Sequence, residues 1–267
     1  MDQLDVRLIP EQDCRGAAAM AFDEVAAETV ENGGPATVRL YRWTPSTLSL
    51  GYRQDVSTVD RAFCEREGID VTRRPTGGGA IYHDTYGDVA YSIIVPADAL
   101  PGDVTESYRR LCAPIRDAFS RVGVAVDFAE TERAAIHPPS CYLRTVDPAH
   151  DLTGPDGRKI AGNAQHRRKD VVVQHGSLTF SVDAETHCRC FTADLDPEQF
   201  RERVCGVEEF VDVERAAFVT ALEDALSEWA GADATDWTDD ERSRADELVE
   251  KKYGAETWIG ERNDPTG

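Results

Sequence analysis

Apolar residues recur with a helical period in five segments of the chain. In residues 16–31, for example, they cluster on one side of a helix drawn at 3.6 residues per turn. The predicted helices are residues 16–31, 57–67, 104–122, a segment carrying Phe218 to Trp229, and a segment that begins at Thr238. Two of them have capping signals: Asp103 and Glu106 at the third, and a capping box of Thr238 and Glu241 at the last.

Alternation of apolar and polar residues predicts β-strands elsewhere. The clearest candidates are TVRLYRW (37–43), TLSLGY (47–52), GDVAYSIIVP (87–96) and VVVQHGSLTFSVD (171–183). The first two are separated by TPS, which is typical of a turn, so we expect them to pair with each other. Because strands and helices mix without strict βαβ alternation, the sequence favours an α+β fold with a mixed, mostly antiparallel sheet flanked by helices.

Length and composition place the chain among ordinary globular proteins. Its 267 residues, 41% of them hydrophobic, are enough for one large domain, which we expect over residues 1–260 with a disordered tail at 261–267. No run of about 18 apolar residues predicts a membrane span. The N-terminus lacks the basic and apolar regions of a secretory signal. We therefore expect a cytoplasmic protein that is not a membrane protein.

The charge is strongly acidic, with 50 acidic and 29 basic side chains and a formal net charge of −21. Such a surface argues against nucleic acid as the main partner, because phosphate backbones need a basic face. Only four of the basic residues are lysines. This composition suits a salt-rich cytoplasm in which screening weakens self-repulsion, and we hypothesise a halophilic source.

The seven cysteines do not predict a disulfide framework, since no secretion signal accompanies them. The run from His187 to Cys190, HCRC, contains metal-ligating residue types. No second Cys/His pair has the spacing of a zinc finger, so no metal site is expected from protein side chains.

The triglycine segment, RRPTGGGAIYHD (residues 73–84), is the first candidate for chemistry. It fits neither GxGxxG nor the P-loop pattern. Without Cβ atoms, however, its backbone amides can approach a carbonyl or phosphate oxygen closely. Arg73 and Arg74 could add bidentate phosphate contacts. A tight turn whose arginines pair with surface acids remains the alternative.

The second candidate is Lys159, in GRKIAGNAQHRRKD (157–170), where a turn leads into a strand. Arginine is the usual cation in this chain, so a lysine that enters an apolar strand is informative. Its compact charge could contact both an acyl oxygen and a phosphate. A surface lysine with a partly buried stem is the alternative. Gly162 and Asn163 are expected to end this strand, and residues 165–169 to form a loop that closes over a ligand.

Several blocks in order resemble the lipoate–protein ligase and lipoyl/octanoyl transferase family. They are AAAMAFDE, YRWTPSTLSLGYRQ, RRPTGGGAIYHD, GDVAYSIIVP, GRKIAGNAQHRRKDVVVQHGSL and the terminal KYGAETW. They cover residues 16 to 258, and the joint occurrence of the triglycine and Lys159 blocks is highly specific. The resemblance implies a single ligase-type catalytic domain with a fold like those of biotin protein ligases and class II aminoacyl-tRNA synthetases.

The resemblance also implies an activity, which we expect to be ATP-dependent lipoate–protein ligation. ATP with Mg²⁺ and lipoate would give lipoyl-AMP, and Lys159 would contact the acyl carbonyl and the phosphate. The other implied binding residues are Arg73, Gly77, Gly78, Gly79, Ala80, Ile81, Tyr82 and His83. The implied acceptor is a lipoyl carrier domain of a 2-oxoacid dehydrogenase or a glycine cleavage H-type protein. A separate accessory subunit could be required.

Two alternatives remain open. One branch of the family, the octanoyltransferases, uses a cysteine nucleophile and takes its acyl group from a carrier thioester; the candidate here is Cys141. In the branch most like this chain that cysteine lies shortly before a Pro-Ser pair, where this sequence has Ala135 or Ile136. Cys141 follows the pair instead. The other alternative is a non-catalytic module that binds an acyl group or a nucleotide.

Overall fold

The computed structural model describes residues 4–264, and its ten strands in that range form two sheets. The strands are β1 (Val6–Cys14), β2 (Ala36–Trp43), β3 (Thr47–Leu50), β4 (Asp70–Arg73), β5 (Ile81–His83), β6 (Asp88–Pro96), β7 (Asp127–Phe128), β8 (Asp151–Thr153), β9 (Lys159–Arg167) and β10 (Val171–Thr179). The large sheet has the order β1-β2-β6-β10-β9-β8-β7, and the small sheet has the order β4-β3-β5.

Most neighbouring strands run antiparallel. The parallel pairs are β1 with β2 in the large sheet and β3 with β4 in the small one. The longest ladder pairs β10 with β6, in register from Val171 opposite Pro96 to Thr179 opposite Asp88. The predicted α+β class with a mixed, mostly antiparallel sheet is confirmed.

Nine α-helices in the same range surround the sheets. They are α1 (Gly16–Glu31), α2 (Arg61–Arg66), α3 (Val104–Leu111), α4 (Ala113–Arg121), α5 (Ala184–Arg189), α6 (Pro197–Arg201), α7 (Arg215–Ala230), α8 (Asp239–Leu248) and α9 (Glu256–Ile259). Helices α4 and α7 pack on one face of the large sheet, and α1 packs on the other. None of the helices within residues 4–264 is long and apolar enough to span a bilayer.

Both faces of the large sheet are therefore buried. On β6, Val89, Tyr91, Ile93 and Val95 belong to the core beneath α4 and α7, as the alternation predicts, while Ile94 packs against the α1 side. Burial on two faces is why the strand contains almost no exposed position. It also fixes the position of β10 and β9, whose residues form much of the site described below.

Three local predictions are wrong. Strands β2 and β3 do not pair with each other, because β2 lies inside the large sheet and β3 enters the small one. The helix predicted over 104–122 is divided between α3 and α4, where Pro114 lacks the N–H needed to continue the ladder. Residues 165–167 continue β9, paired with β10, instead of starting a loop.

Both capping predictions are confirmed. Asp103 accepts a hydrogen bond from the Glu106 amide, and Thr238 and Glu241 form the capping box. The division into a domain at 1–260 and a tail at 261–267 stays a prediction, and residues 265–267 lie outside the part of the chain that the structure describes.

Candidate active site

A cavity of about 240 Å³ lies where the two sheets meet. Its apolar wall comes from α1, β2, β5 and α3, and consists of Met20, Tyr41, Trp43, Ile81 and Tyr108, all buried. Its polar wall comes from the triglycine segment, from residues 141–151 and from strands β9 and β10. The combination of an apolar compartment with convergent polar groups is typical of a small-molecule site.

Arg74 fixes the shape of the triglycine segment from inside. Its guanidinium donates hydrogen bonds to the carbonyls of Gly77 (3.1 Å), Gly79 (2.6 Å) and Ser49 (2.8 Å). Gly77 and Gly78 line the cavity. The amide N–H groups of residues 77–79 have no hydrogen-bond acceptor within residues 4–264, so they are available to an oxygen of a bound molecule.

The triglycine segment also positions a cysteine. The Ala80 amide donates to the Pro139 carbonyl (2.7 Å), and the Cys141 amide donates to the Ala80 carbonyl (2.9 Å). A Cβ on Gly79 would lie 2.6 Å from Pro139 O and 2.7 Å from Cys141 N. Only glycine permits this approach, which brings residues 139–141, the cysteine segment, against the triglycine segment.

A buried histidine holds the cysteine segment from the other side. A hydrogen bond of 2.9 Å joins Ser140 Oγ and His187 Nε2. Burial lowers the pKa of His187 to about 3, so its ring is neutral near pH 7. The HCRC run thus supplies a structural contact, and no group of three or more potential metal ligands occurs in residues 4–264.

Cys141 and Lys159 face the same point of the cavity. A Cβ on Gly162, the residue between them, would lie 3.4 Å from Lys159 Nζ and 3.8 Å from Cys141 Sγ. Lys159 Nζ also donates to the Cys141 carbonyl at 3.4 Å. Of the seven cysteines, all within residues 4–264, Cys141 is the one that is not fully buried.

Lys159 forms a buried ion pair with Asp151, with Nζ 2.8 Å from Oδ1 and both side chains about 97% buried or more. Burial disfavours the ammonium charge, but the Asp151 carboxylate outweighs it and raises the pKa of Lys159. Burial also disfavours the carboxylate, yet Lys159 holds the pKa of Asp151 well below its usual range. Both groups are therefore charged near neutral pH.

Arg144 supplies a further positive charge without a counter-ion. It lines the cavity, and its Nη1 lies 3.0 Å from the position that a Cβ on Gly78 would take. Its guanidinium makes no hydrogen bond or ion pair with any residue in the range 4–264. Since Asp151 pairs with Lys159 and main-chain oxygens occupy Arg74, Arg144 is the cationic side chain of the cavity lining that is free to meet an anion, beside the unpaired amides of residues 77–79.

Two cavity histidines are fully engaged. His83 contacts Ser49 Oγ (2.8 Å) through Nε2 and Asp88 through Nδ1, and burial lowers its pKa. His175 contacts Thr76 Oγ1 (2.6 Å) through Nε2 and Asp23 (3.4 Å) through Nδ1. Both rings brace the walls of the cavity, and His83 also stacks on Trp43 at 4.2 Å.

The cavity brings together most of the residues predicted from the sequence. Gly77, Gly78, Ile81, His83, Lys159 and Cys141 line it. Gly79 and Ala80 do not line it, but they hold the cysteine segment. Tyr82 lines a separate pocket, where its hydroxyl donates to Asp84.

Arg73 lies outside the cavity. Its fully buried guanidinium donates to the carbonyls of Gly51, Gln54 and Ile259, which ties β4 to the C-terminal segment. Its neighbour Arg74 lines the cavity instead. Successive side chains of a strand point in opposite directions, so only one of two adjacent arginines can face the site.

Sequence reasoning missed His150, Asp151 and Arg144. His150 and Asp151 lie in the segment DPAHDLTGPDG, and β8 brings them back beside β9. Two consecutive titratable residues just before a short apolar strand that leads to Lys159 were the available signal.

Comparisons with known proteins show which family the chain is similar to. The profile of the lipoyl protein ligase A/B catalytic domain matches residues 15–227. Octanoyltransferase LipM of an Exiguobacterium species is 34% identical, over 92% of this chain and 94% of that protein, and LipM of Geobacillus kaustophilus is 33% identical over 94% and 96%. A putative lipoate protein ligase from T. acidophilum, solved with bound lipoic acid, superimposes with a TM-score of 0.78 at 27% identity over 97% of this chain and 99% of that one.

These findings confirm the fold expected from the resemblance and correct the expected activity. Curated relatives that match the chain over most of its length are octanoyltransferases, so the predicted ATP-dependent lipoate ligation is wrong, as is the predicted use of ATP with Mg²⁺ and lipoate. A cysteine beside Lys159 in the cavity is consistent with that correction. The profile match and the relatives together establish that this chain belongs to the lipoyl protein ligase A/B catalytic domain family.

Proposed function

We propose that this protein is a cysteine-dependent octanoyltransferase. It would take an octanoyl group from a carrier thioester onto Cys141 and pass it to a lysine of a lipoyl carrier domain. The observation that carries the proposal is the approach of Cys141 Sγ and Lys159 Nζ to one point of a cavity with an apolar wall. The relatives named octanoyltransferase supply the acyl group and the reaction class.

The first step is attack of the Cys141 thiolate on the donor thioester. A new bond forms between Sγ and the acyl carbon, and the bond to the carrier sulfur breaks, so the carrier leaves as its thiolate and takes up from water the proton that Cys141 had released. Positive charge beside the sulfur favours its reaction as a nucleophile. Lys159 and Arg144 both carry such charge on the cavity wall, and Arg144 has no carboxylate partner within residues 4–264 that would reduce its effect.

The tetrahedral intermediate of this step carries negative charge on the former carbonyl oxygen. The unpaired N–H groups of Gly77 and Gly78 are suited to receive it, because they are fixed in place by the Arg74 contacts before substrate arrives. In enzymes that use such donors, the loss of one costs about 10²–10³ in rate. The proposed oxyanion site thus consists of backbone amides of the triglycine segment.

The acyl tail would occupy the apolar compartment. Tyr41, Trp43 and Met20 are each at most 2% exposed and line the cavity next to the polar groups. Burial of each CH₂ group of a fatty chain contributes about 0.8 kcal/mol, so an eight-carbon chain gains several kcal/mol there. The tail thus holds the thioester at the cysteine.

A test of the proposal uses an octanoyl-carrier thioester, the purified protein and an isolated lipoyl domain or H-type protein as acceptor. Intact-mass and peptide mass spectrometry should find an octanoyl adduct on Cys141, followed by modification of the acceptor lysine. Cys141→Ser should lose the thioester-linked adduct and the transfer, while Cys188→Ser, at a buried position outside the cavity, should retain both.

Two results would refute the proposal. Acceptor modification at the parental rate by Cys141→Ser would exclude the covalent intermediate. An adduct on another cysteine would place the nucleophile elsewhere.

A further inference from the structure

The donor of the proposed reaction is an acyl thioester, whose sulfur stands at the end of a long arm. In acyl-carrier proteins and in coenzyme A alike, this arm is pantetheine and it ends in a phosphate. About 13 bonds separate the sulfur from the phosphorus, so the extended arm spans about 15 Å at the spacing of an extended peptide backbone. The need to hold this arm while its sulfur lies at Cys141 rests on the proposed function.

A polar course for the arm runs along strand β9. The cavity is lined by Lys159, Gly162, Asn163, Ala164 and Gln165, so it follows the strand outward from the cysteine. Two of these residues carry carboxamide side chains, which match the amide groups of pantetheine in polarity. The apolar wall is given to the acyl tail in the proposed function. The tail and the arm of one thioester therefore have separate walls of the cavity.

Strand β9 also measures the distance from the reacting sulfur. Gly162 marks the reacting end, since a Cβ at this position would lie 3.8 Å from Cys141 Sγ. From Ala161 to Arg167 the strand pairs with β10 without a shift of register. Five residues at about 3.3 Å each place Arg167 about 16 Å along the strand from Gly162. Arg167 thus lies at the distance from the cysteine that the phosphate of an extended arm would have.

Arg167 is available to bind an anion at this point. It is exposed, and its guanidinium has no carboxylate partner within residues 4–264, although the chain carries 50 acidic side chains. Its Nη1 donates to Gln165 Oε1 at 2.9 Å and to Ser107 Oγ at 3.4 Å. These contacts hold the guanidinium beside the cavity lining, to which Gln165 belongs. The next two basic residues of the chain each have an acidic partner within 4.0 Å.

The cations at the cysteine end lie too close to the sulfur to take this phosphate. Arg74 and Arg144 each have a nitrogen 3.0 Å from the position that a Cβ on Gly78 would take, and Lys159 Nζ lies beside Gly162. An extended arm carries its phosphate about 15 Å away from that end of the cavity. A contact with the phosphate must therefore come from a cation farther along β9.

We propose that Arg167 binds the phosphate of the donor's pantetheine arm. The arm lies along β9 with its sulfur at Cys141, and the guanidinium of Arg167 meets the phosphate oxygens through charge-assisted hydrogen bonds. Acyl-carrier proteins and coenzyme A share this phosphate, so the site recognises a feature common to both. Arg167 acts on donor binding in the first half-reaction and takes no part in transfer to the acceptor, because the arm has left by then.

Donors of graded length test this assignment. The rate constant for formation of acyl-Cys141 is measured by rapid quench and intact mass, at one salt concentration, with octanoyl-pantetheine, octanoyl-phosphopantetheine, octanoyl-CoA and octanoyl-carrier protein. The parent should load from octanoyl-phosphopantetheine at least about ten-fold faster than from octanoyl-pantetheine. In Arg167→Gln this advantage should fall to about two-fold or less, while loading from octanoyl-pantetheine stays at the parental rate.

Two further variants separate a bound phosphate from general attraction of an anion. Lys169→Gln removes a positive charge two residues away, from a side chain that is 91% exposed, and should load every donor at the parental rate. Arg167→Lys keeps the charge but loses the planar fork, and should retain part of the advantage. Transfer from preformed acyl-Cys141 to the acceptor should be parental in Arg167→Gln, which a distorted cavity would not allow.

The same series distinguishes the two sources of the phosphate. Loading by Arg167→Gln should slow to a similar extent with octanoyl-phosphopantetheine, octanoyl-CoA and octanoyl-carrier protein. A loss confined to octanoyl-CoA would assign the contact to the nucleotide. A loss confined to octanoyl-carrier protein would assign it to the protein surface. Either of these results would overturn the assignment of Arg167 to the phosphate of the arm.

Three other results would also overturn the inference. If Arg167→Gln loads all phosphorylated donors at the parental rate, Arg167 does not bind the phosphate. If it slows octanoyl-pantetheine as much as octanoyl-phosphopantetheine, its role is structural. The octanoyltransferase function stands in both cases. If the parent forms acyl-Cys141 from none of the donors, the proposed function fails and this inference fails with it.

Discussion

Replacing Asp151 with asparagine would leave the Lys159 ammonium buried without its counter-charge. The two side chains are 3% and 2% exposed, so water cannot take over the role of the carboxylate. Removal of one partner from a buried ion pair costs about 3–5 kcal/mol of stability. Lys159 can limit this loss by releasing its proton, at a cost of about 5 kcal/mol at pH 7 but only about 2 kcal/mol at pH 9 for a lysine with an ordinary pKa.

The variant should therefore acquire a pH dependence that the parent lacks. In the parent, the pKa of Asp151 is lowered and that of Lys159 is raised. The carboxylate contributes its stability above about pH 4 and the ammonium group contributes below about pH 10, so the pair adds no slope between pH 5 and 9. In Asp151→Asn, unfolding would bind a proton to Lys159, and stability should rise with pH by up to about 1.4 kcal/mol per unit.

Urea unfolding at pH 7, 8 and 9 and constant salt measures both effects. We expect Asp151→Asn to be several kcal/mol less stable than the parent at pH 7, with a gap that narrows toward pH 9. Combining it with Lys159→Met should recover much of the loss and remove the slope, since no charge is then buried. The reasoning would be refuted if Asp151→Asn alone were within 1 kcal/mol of the parent at pH 7, or if the difference in unfolding free energy between the two proteins did not change with pH.

Three further outcomes are expected. Gly79→Ala should displace Cys141 and lower the rate of acyl loading by at least ten-fold. Gly77→Ala, whose Cβ would meet nothing within 4 Å, should load at the parental rate. If both variants lost loading to the same extent, the packing argument would be contradicted. Arg144→Gln should slow the alkylation of Cys141 by iodoacetamide several-fold at pH 7. Arg109→Gln, on the exposed side of α3, should leave the alkylation rate unchanged. If Arg144→Gln reacted at the parental rate, Arg144 would have no part in the mechanism. With a net charge of −21, the thermal midpoint should rise between 0.1 M and molar KCl, and a constant midpoint would argue against a halophilic surface.

The elements that local patterns specify were predictable from the sequence, and the partners of the strands were not. Asp103 and Thr238 cap their helices because capping depends on residues three positions apart. The pairing of β2 depends on burial of both its faces within a seven-stranded sheet, and alternation along one strand carries no information about that. The short TPS turn therefore suggested a hairpin that the fold does not contain.

The residues of the site also divide into those that local sequence predicted and those that it did not. Gly77, Gly78 and Lys159 were found because their residue types are unusual where they occur. His150 and Asp151 were not, since β8 pairs with β9 through an irregular register, with Thr153 opposite Lys159, and only the folded chain places Asp151 beside the ammonium group. Charge complementarity over eight residues of turn and strand cannot be read from spacing alone.

The position of Cys141 after the Pro-Ser pair is also explained by the folded chain. The resemblance predicts that Ala135 or Ile136 stands where the branch most like this chain has its cysteine, and both residues are exposed and lie outside the cavity lining. The cysteine segment, in contrast, is fixed at three points: Pro139 to Ala80, Ser140 to His187, and the Cys141 amide to the Ala80 carbonyl. A thiol at position 141 thus meets Lys159 with its backbone already immobilised, which is what a nucleophile requires. The proposed chemistry needs a sulfur at that point of the cavity, and the fixed cysteine segment places one there although Cys141 follows the Pro-Ser pair.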